Sequence, residues 1–388
     1  MERKDEIAAK AAELYTWENL IQRIETIEDF SVLEKDRGKK SFEFLRKELG
    51  ENFMRDACMN FHPFMQYIYN SAPWTQRWII HFVEELDQVK GFDNFSSLKK
   101  RLVSVKGFPE AVGVLHMGYK FSKAGFAVSF DPKLEFGNKM KIPDIKLVNN
   151  DTNEELFAEV SQLIKSKVEH EASYTFFSIY DAIWPPIDLI HAGQIHKTLS
   201  VNSLESVVRR VKETAQKAFQ KKQFESLSIP GVLDLGIAPR GQENLLEEWS
   251  KVHGLSIGEF RGPSYNLDEV KRIKFKINTE QLQLPKDHAN IVVIVDDEWF
   301  FGESNVVKSI NELEEGIYDF GHIFAAVITG ESPGSGANRI ITKDQHMLIE
   351  KVRPYYEMEK SIILFNNYCK QKISPNTISK MYDAFRTY

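Results

Sequence analysis

Two apolar segments separated by a run of turn-forming residues constrain the fold of this chain more than any other feature. Residues 142–148 and 156–164 are short and rich in apolar side chains, which is typical of β-strands. Between them lies Asn-Asn-Asp-Thr-Asn at 149–153, whose short polar side chains favour turns because they bond to the local backbone. The sequence therefore predicts a β-hairpin over 142–164.

The predicted hairpin places particular side chains opposite each other. If its turn is centred on Asp151 and Thr152, Asp144 lies directly across from Glu159, because both are equally far from that centre. Directly paired residues in antiparallel strands have Cβ atoms about 4.5–5.5 Å apart. Because alternate side chains share a face of a strand, Ser161 is expected on the same face as Glu159. The pattern thus predicts two neighbouring carboxylates on one sheet face.

Two such carboxylates repel each other unless a positive charge lies between them. Hard divalent cations such as Mg²⁺ or Mn²⁺ prefer oxygen ligands of this kind. Glu110, at the start of a predicted helix before the hairpin, is a candidate third ligand. A cation held by Asp144, Glu159 and Glu110 could neutralise a phosphate and lower the pKa of a water molecule. The alternative is that the carboxylates are structural and form the solvent-facing side of the hairpin.

The composition limits the class of protein. The chain has 388 residues, of which 42% are hydrophobic and 27% charged, so a packed soluble protein with more than one domain is expected. With a formal net charge of −6, any contact with nucleic acid must use a local basic patch. Two cysteines cannot build a disulfide framework and suit a reducing cytoplasm. No run of 18 apolar residues is present, so no membrane span is expected.

Hydrophobic periodicity divides the chain into two predicted domains. Residues 1–104 have apolar side chains at helical spacing, which predicts an N-terminal helical domain that packs on the rest or contacts a protein partner, such as a second copy. Residues 105–388 are expected to form a mixed α/β domain. This domain contains a short strand at 126–130, a helix at 203–224 and a continuous apolar run at 290–295, typical of a strand buried on both faces.

The order of these segments resembles the PD-(D/E)XK nuclease superfamily. A helix bearing Glu110 is followed by a strand, by a second strand opening with Pro143-Asp144, and by a third carrying Glu159-Val160-Ser161. The resemblance implies a restriction-endonuclease-like mixed sheet flanked by helices, with the later predicted helix and the buried strand continuing the core. It also implies an insertion at about 166–200 and a C-terminal extension.

The resemblance further implies a function. Family members hydrolyse phosphodiester bonds of nucleic acid with Mg²⁺ or Mn²⁺, so Asp144 and Glu159 would hold the metal, Glu110 would assist, and DNA is the favoured substrate. Ser161 departs from the family, which usually has a lysine there that positions water and offsets phosphate charge. A positioned group of this kind is worth about 10²–10⁴ in rate. Either another basic residue replaces it, or the protein is an inactive nuclease-fold module that binds nucleic acid or serves assembly.

Positive charges cluster on the predicted helix at 203–224. Arg209, Arg210, Lys212 and Lys217 all lie within it. Such a run is usually a solvated helix face, but beside a nuclease site it could contact phosphates. These four residues are therefore candidate ligands for nucleic acid.

Overall fold

An eight-stranded mixed β-sheet organises the larger of two units into which the chain divides. The structure is a computed structural model and describes residues 2–136, 139–163, 166–183, 188–264, 269–296, 306–333, 339–343, 346–352 and 357–387. The larger unit, here called the sheet unit, comprises Met1–Leu163 and Glu269–Tyr388. The smaller, here called the inserted unit, comprises Ile164–Asp268.

The described helices, in chain order, are α1 (Glu2–Leu14), α2 (Trp17–Glu25), α3 (Val32–Leu49), α4 (Phe53–Met59), α5 (Met65–Tyr69), α6 (Pro73–Val89), α7 (Phe95–Leu102), α8 (Phe108–Lys123), α9 (Lys167–Ile183), α10 (Val201–Lys221), α11 (Glu243–Val252), α12 (Glu269–Glu280), α13 (Val306–Ile317) and α14 (Pro375–Arg386). The described strands are β1 (Phe126–Phe130), β2 (Leu134–Phe136), β3 (Lys139–Lys141), β4 (Ile145–Asn149), β5 (Glu155–Gln162), β6 (Leu189–Ile195), β7 (Glu225–Ile229), β8 (Leu233–Pro239), β9 (Phe260–Arg261), β10 (Ala289–Val295), β11 (Ile323–Pro333), β12 (Arg339–Lys343), β13 (His346–Val352) and β14 (Glu357–Phe365).

The main sheet is parallel in its middle and antiparallel toward both edges. Its strand order is β1-β4-β5-β10-β11-β14-β13-β12, in which β5, β10 and β11 run parallel. The continuous apolar run forms β10, where Ile291 and Val293 face one side of the sheet and Val292 and Ile294 face the other. A strand buried on both faces requires helices on both faces. The prediction of a mixed α/β fold is therefore confirmed.

Helix α8 and the N-terminal helices cover one side of the sheet, here called the α8 face. Helices α2 to α7 contribute large buried side chains to the same core cluster as Ile291 and Val293, including Trp17, Phe42, Met65 and Phe82. The helical character predicted for residues 1–104 is confirmed. The boundary at residue 104 does not separate two units, because the apolar stripes of these helices are buried against the sheet.

Helices α12 and α13 cover the opposite side, here called the α12 face. Ile273 and Ile277 of α12 pack in one cluster with Val292 and Ile294 of β10. Parallel neighbours such as β5 and β10 need a long crossover connection, and α12 is the helix of that connection that packs on both strands. The sequence had assigned this place to the helix at 203–224. That helix exists as α10 but belongs to the inserted unit. The assignment was wrong because sequence order alone does not say which of two amphipathic helices covers a strand.

The hairpin of β4 and β5 forms with the predicted register. Ile145 pairs with Ala158, so Asp144, which directly precedes β4, lies opposite Glu159. The strand begins at Ile145, later than the predicted residue 142. Pro143 explains this difference, because it has no N–H to donate to a neighbouring strand.

The inserted unit has its own four-stranded sheet, with the order β7-β8-β6-β9. Helices α9 and α10 pack on one side of this sheet, and α11 packs on the other. The insertion predicted at 166–200 is thus part of a longer unit, Ile164–Asp268. Secondary-structure periodicity could not reveal this, because α10 and its neighbours look like any other α/β segment.

A series of charged side chains lies buried in the core on the α8 face. Lys120 of α8 is fully buried and forms an ion pair with Glu359 of β14, which is itself 2% exposed. On the same helix, His116 Nδ1 lies 2.7 Å from Oε1 of the buried Glu85, on α6. Burial raises the pKa of Glu85, but His116 and His81 outweigh that effect and hold it below its ordinary value. These charges tie α6, α8 and β14 together.

Replacement of Lys120 tests the energetic weight of this buried pair. We expect Lys120→Met to lower the free energy of unfolding by about 3–5 kcal/mol, because it leaves the Glu359 charge buried without its ammonium partner. The double variant Lys120→Met/Glu359→Gln should recover much of that loss. Lys40→Met, which removes an exposed pair with Asp36, is the control and should leave urea unfolding unchanged. If the Lys120→Met protein were as stable as the control, the Lys120–Glu359 pair would not be needed for stability.

Candidate metal centre

Asp144 and Glu159 lie together on the α12 face of the sheet. Glu159 alternates with Val160, whose side chain is buried in the core cluster on the α8 face. Both carboxylates are only 6% exposed. The pair therefore does not form a solvent-facing side of the hairpin, because β5 lies inside the sheet between β4 and β10.

Asp144 is held by two hydrogen bonds. Its Oδ1 accepts from Nη1 of Arg101 at 2.7 Å, and its Oδ2 accepts from the backbone N–H of Val160 at 2.9 Å. Burial raises the pKa of Asp144 to about 6, although Arg101 and the Val160 amide both lower it. Arg101, at the end of α7, also lies 3.3 Å from Asp131. The arrangement orients one carboxylate firmly from the edge of the sheet.

The Glu159 carboxylate has fewer hydrogen-bond partners than the Asp144 carboxylate. Within the part of the chain that the structure describes, its buried Oε2 has no hydrogen-bond partner. Burial and, after it, the negative charges of Asp144 and Glu280 together raise the pKa of Glu159 to about 10. A charged Glu159 therefore destabilises the folded protein unless a proton or a cation neutralises it.

Glu110 differs from the other two carboxylates in its burial. It is exposed in the first turn of α8, and its negative charge also raises the pKa of Asp144 and of Glu159. Across the described ranges, no three His, Cys, Asp or Glu side chains are arranged to hold one metal ion. The structure thus brings together two of the three predicted metal ligands.

Ser161 belongs to a hydrogen-bond network of residues that the sequence did not suggest. Its Oγ donates a hydrogen bond to Oε1 of Glu280 at 2.9 Å, and Lys276 Nζ donates to the same oxygen at 3.0 Å. Both partners belong to α12, far from the motif in sequence. The available signal was an amphipathic helix immediately before the buried strand β10, which is where a crossover helix would contact Ser161. Arg101 was missed for a similar reason, since no local pattern links it to Asp144.

The four candidate nucleic-acid ligands lie on the exposed face of α10 in the inserted unit. Arg209, Arg210, Lys212 and Lys217 are all exposed. Their side chains form no ion pair or hydrogen bond with any other described residue. An unpaired cationic helix face fits the prediction of phosphate contacts, and it equally fits a solvated surface.

Comparisons with protein-family models, with curated proteins and with solved structures gave no match to this chain. None of the described helices combines the length and apolar character needed to cross a membrane.

The raised pKa of Glu159 predicts how the stability of the folded protein changes with pH. Between the ordinary pKa of a glutamate and a pKa of about 10, the folded protein keeps a proton that the unfolded chain has released. The metal-free protein should therefore lose stability as pH rises through that window. We expect Glu159→Gln to flatten this dependence and to raise the melting temperature at alkaline pH.

Glu155→Gln is the matched control, because Glu155 is on the same strand but is 42% exposed and paired with Lys146. Thermal unfolding at a series of pH values, with chelator present, gives the measurement. Equal slopes for wild type and Glu159→Gln would show that Glu159 is not held in its neutral form.

Proposed function

We propose that the sheet unit is a Mg²⁺- or Mn²⁺-dependent nuclease that hydrolyses phosphodiester bonds of nucleic acid, with DNA as the favoured substrate. The observation that carries this proposal is the pair Asp144 and Glu159, two carboxylates that face each other while almost fully buried. A buried like-charged pair is costly, and structural acids are normally compensated by a cationic partner. The Oε2 atom of Glu159 has no such partner among the described residues.

The donor set fits a hard divalent cation. Asp144 and Glu159 would hold it through carboxylate oxygens, and Oε2 of Glu159 is a buried acceptor with no other bond in the described structure. When bound, such a cation can neutralise phosphate charge and lower the pKa of a water molecule. The residues around it have their own roles. Arg101 keeps Asp144 oriented, and the buried sheet face limits access of bulk water to the carboxylates.

The arrangement of the sheet supports a restriction-endonuclease-like core. Helix α8 is followed by β1, β4 and β5, which pair as antiparallel neighbours in that order, and then by α12 and the parallel neighbour β10. This is the succession of helix, three strands, helix and strand that the sequence resemblance implies, with α12 in the place first given to α10. We take this order as support for the nuclease proposal.

Removal of either carboxylate tests the proposed activity. We expect Asp144→Ala and Glu159→Ala to lose Mn²⁺ binding and to lower DNA cleavage by more than about 100-fold, since even outer partners of metal ligands are worth about 10–100-fold. Because both sites are buried, Asp144→Asn and Glu159→Gln provide variants without cavities. Glu155→Ala, on the same strand, should behave as wild type.

The measurements are calorimetry with Mn²⁺ and cleavage of plasmid, linear DNA and RNA with Mg²⁺, Mn²⁺ or chelator. A wild-type protein that cleaves none of these nucleic acids with either metal would refute the nuclease proposal. So would carboxylate variants that cleave at the wild-type rate.

The unpaired cations of α10 favour a second candidate function, binding of nucleic acid without cleavage. In that case the fold would serve as a binding or assembly module, and the serine at position 161, in place of the family's lysine, would reflect the loss of catalysis. This proposal needs no metal at Asp144 and Glu159. The two proposals therefore differ in whether a metal ion is required.

Substitutions on α10 test the binding surface independently of cleavage. We expect Arg210→Ala/Lys217→Ala to weaken DNA binding and to reduce the slope of log affinity against log salt by about 0.9 for each cation that contacts a phosphate. Lys251→Ala, which removes a cation paired with Glu247 on α11, is the control. Fluorescence anisotropy in chelator, over a range of salt, gives both quantities. An unchanged salt slope would identify the α10 face as a solvated surface.

A further inference from the structure

A lysine from another part of the chain lies next to the position where the expected lysine is missing. Ser161 is 2% exposed, and its Oγ donates to Oε1 of Glu280 at 2.9 Å. Lys276 Nζ donates to that same oxygen at 3.0 Å, so one carboxylate oxygen joins the ammonium group to Ser161. Ser161 shares its face of β5 with Glu159. The positive charge is therefore delivered to the sheet face that carries the carboxylate pair.

We propose that Lys276 is the catalytic cation of this site and that Glu280 is the positioning residue that holds it there. The proposal rests on the proposed nuclease function. Lys276 would donate a hydrogen bond to a phosphate oxygen or to the attacking water and offset the negative charge that develops during hydrolysis. An ammonium group has three donors, so it can keep its bond to Glu280 while it makes another. No proton needs to leave the lysine for this role.

Two described lysines near the hairpin, Lys141 and Lys146, bind other groups. Lys141 donates to the backbone carbonyls of Leu282 and Leu284, at 2.9 and 2.8 Å. Lys146 pairs with Glu155 at 2.7 Å, at the end of the hairpin away from Ser161. These were the lysines closest to the motif in sequence, and neither contacts the Ser161 side of the site.

Two further described cations, on α7 and α8, also differ from Lys276 in position. Arg101 contacts Asp144 and Asp131, on the opposite flank of the carboxylate pair. Lys120 is buried with Glu359 and belongs to the helix on the α8 face. Lys276 is thus the described basic residue that shares a bonding partner with Ser161.

The geometry of α12 explains how a helix residue can replace a strand residue. Lys276 and Glu280 are four residues apart, which places them on one side of the helix. Glu280 is buried against β5, whereas the Lys276 side chain retains 29% exposure. A long aliphatic stem can lie along the protein surface while its charged end reaches a polar site. Lys276 can therefore meet a bound substrate while Glu280 fixes its direction.

The first test compares Lys276→Ala with Lys274→Ala. Lys274 lies on the same helix, but its stem packs over Gly316. We expect Lys276→Ala to lower kcat by about 10²–10⁴-fold, the usual effect of a positioned charge or proton-transfer group. Its Mn²⁺ affinity should not fall, because Lys276 does not hold the metal. Its free energy of unfolding should fall, because the buried Glu280 loses its ammonium partner, so kcat is compared where both variants are fully folded. Lys274→Ala should cleave as wild type.

The second test moves the lysine to the place that Ser161 occupies. In the Lys276→Ala background, Ser161→Lys should recover at least about 10-fold of the lost kcat, because its ammonium group can take the vacated position beside Glu280. Ser161→Met in the same background has similar length without charge and should recover nothing. Ser161→Lys in the otherwise wild-type chain should be neutral or harmful, since two ammonium groups would then compete for Glu280.

The outcomes separate this inference from the nuclease proposal. If wild type cleaves DNA, loses cleavage with Asp144→Asn and keeps it with Lys276→Ala, the nuclease proposal stands and the role of Lys276 is overturned. If Lys276→Ala loses Mn²⁺ binding together with activity, and Ser161→Lys does not rescue it, Lys276 is a structural residue. If wild type cleaves no nucleic acid, both proposals fail.

Discussion

The two-sided burial of β10 is the constraint on which the sheet unit depends. Its apolar side chains alternate between the α8 face and the α12 face, and each face needs a layer of helices to exclude water. Because β10 is parallel to β5, the chain must cross over before it can return to the sheet. In this protein the crossover contains the whole inserted unit and ends in α12. The same requirement that buries β10 thus brings α12 against Ser161.

The two faces of the sheet treat buried charge in opposite ways. On the α8 face, the fully buried Lys120 pairs with Glu359, so each charge compensates the other. On the α12 face, Glu159 is nearly as buried, yet no described cation forms an ion pair with it, and its pKa rises to about 10. A compensated pair contributes to one folded arrangement, whereas an uncompensated carboxylate is a site that a cation would stabilise. This contrast places the candidate metal centre on the α12 face.

Under the proposed nuclease function, the serine at position 161 means that positive charge must come from another part of the chain. A phosphate that is being hydrolysed needs positive charge at a point in space, and the chain position that supplies it is immaterial. Glu280 links Ser161 to Lys276, so a helix can present the charge that a strand lacks. The sequence motif and the spatial arrangement are then different descriptions, and only the second decides whether the site can act.

Local patterns in the sequence were sufficient for the elements closest to the site. The turn residues at 149–153 and the period of two in the flanking strands set the register that places Asp144 opposite Glu159, because hairpin geometry depends on near neighbours. The doubly buried strand β10 and the amphipathic helices α8 and α10 were also predicted, since each has its own periodicity. The charge and residue types at Asp144 and Glu159 were visible without any coordinates.

Tertiary packing decided everything that joins distant segments. The burial of Asp144 and Glu159, and hence their raised pKa values, depends on strands and helices that flank the hairpin. The contacts of Arg101 with Asp144, and of Glu280 and Lys276 with Ser161, join residues on helices with no fixed sequence distance from the motif. Glu110 has the right chemistry in the right order, yet the first turn of α8 leaves it exposed. The sequence by itself determined the hairpin and its two carboxylates, because periodicity and turn chemistry are local. Only the tertiary structure decided which charges surround them, because the electrostatic environment depends on distance in space.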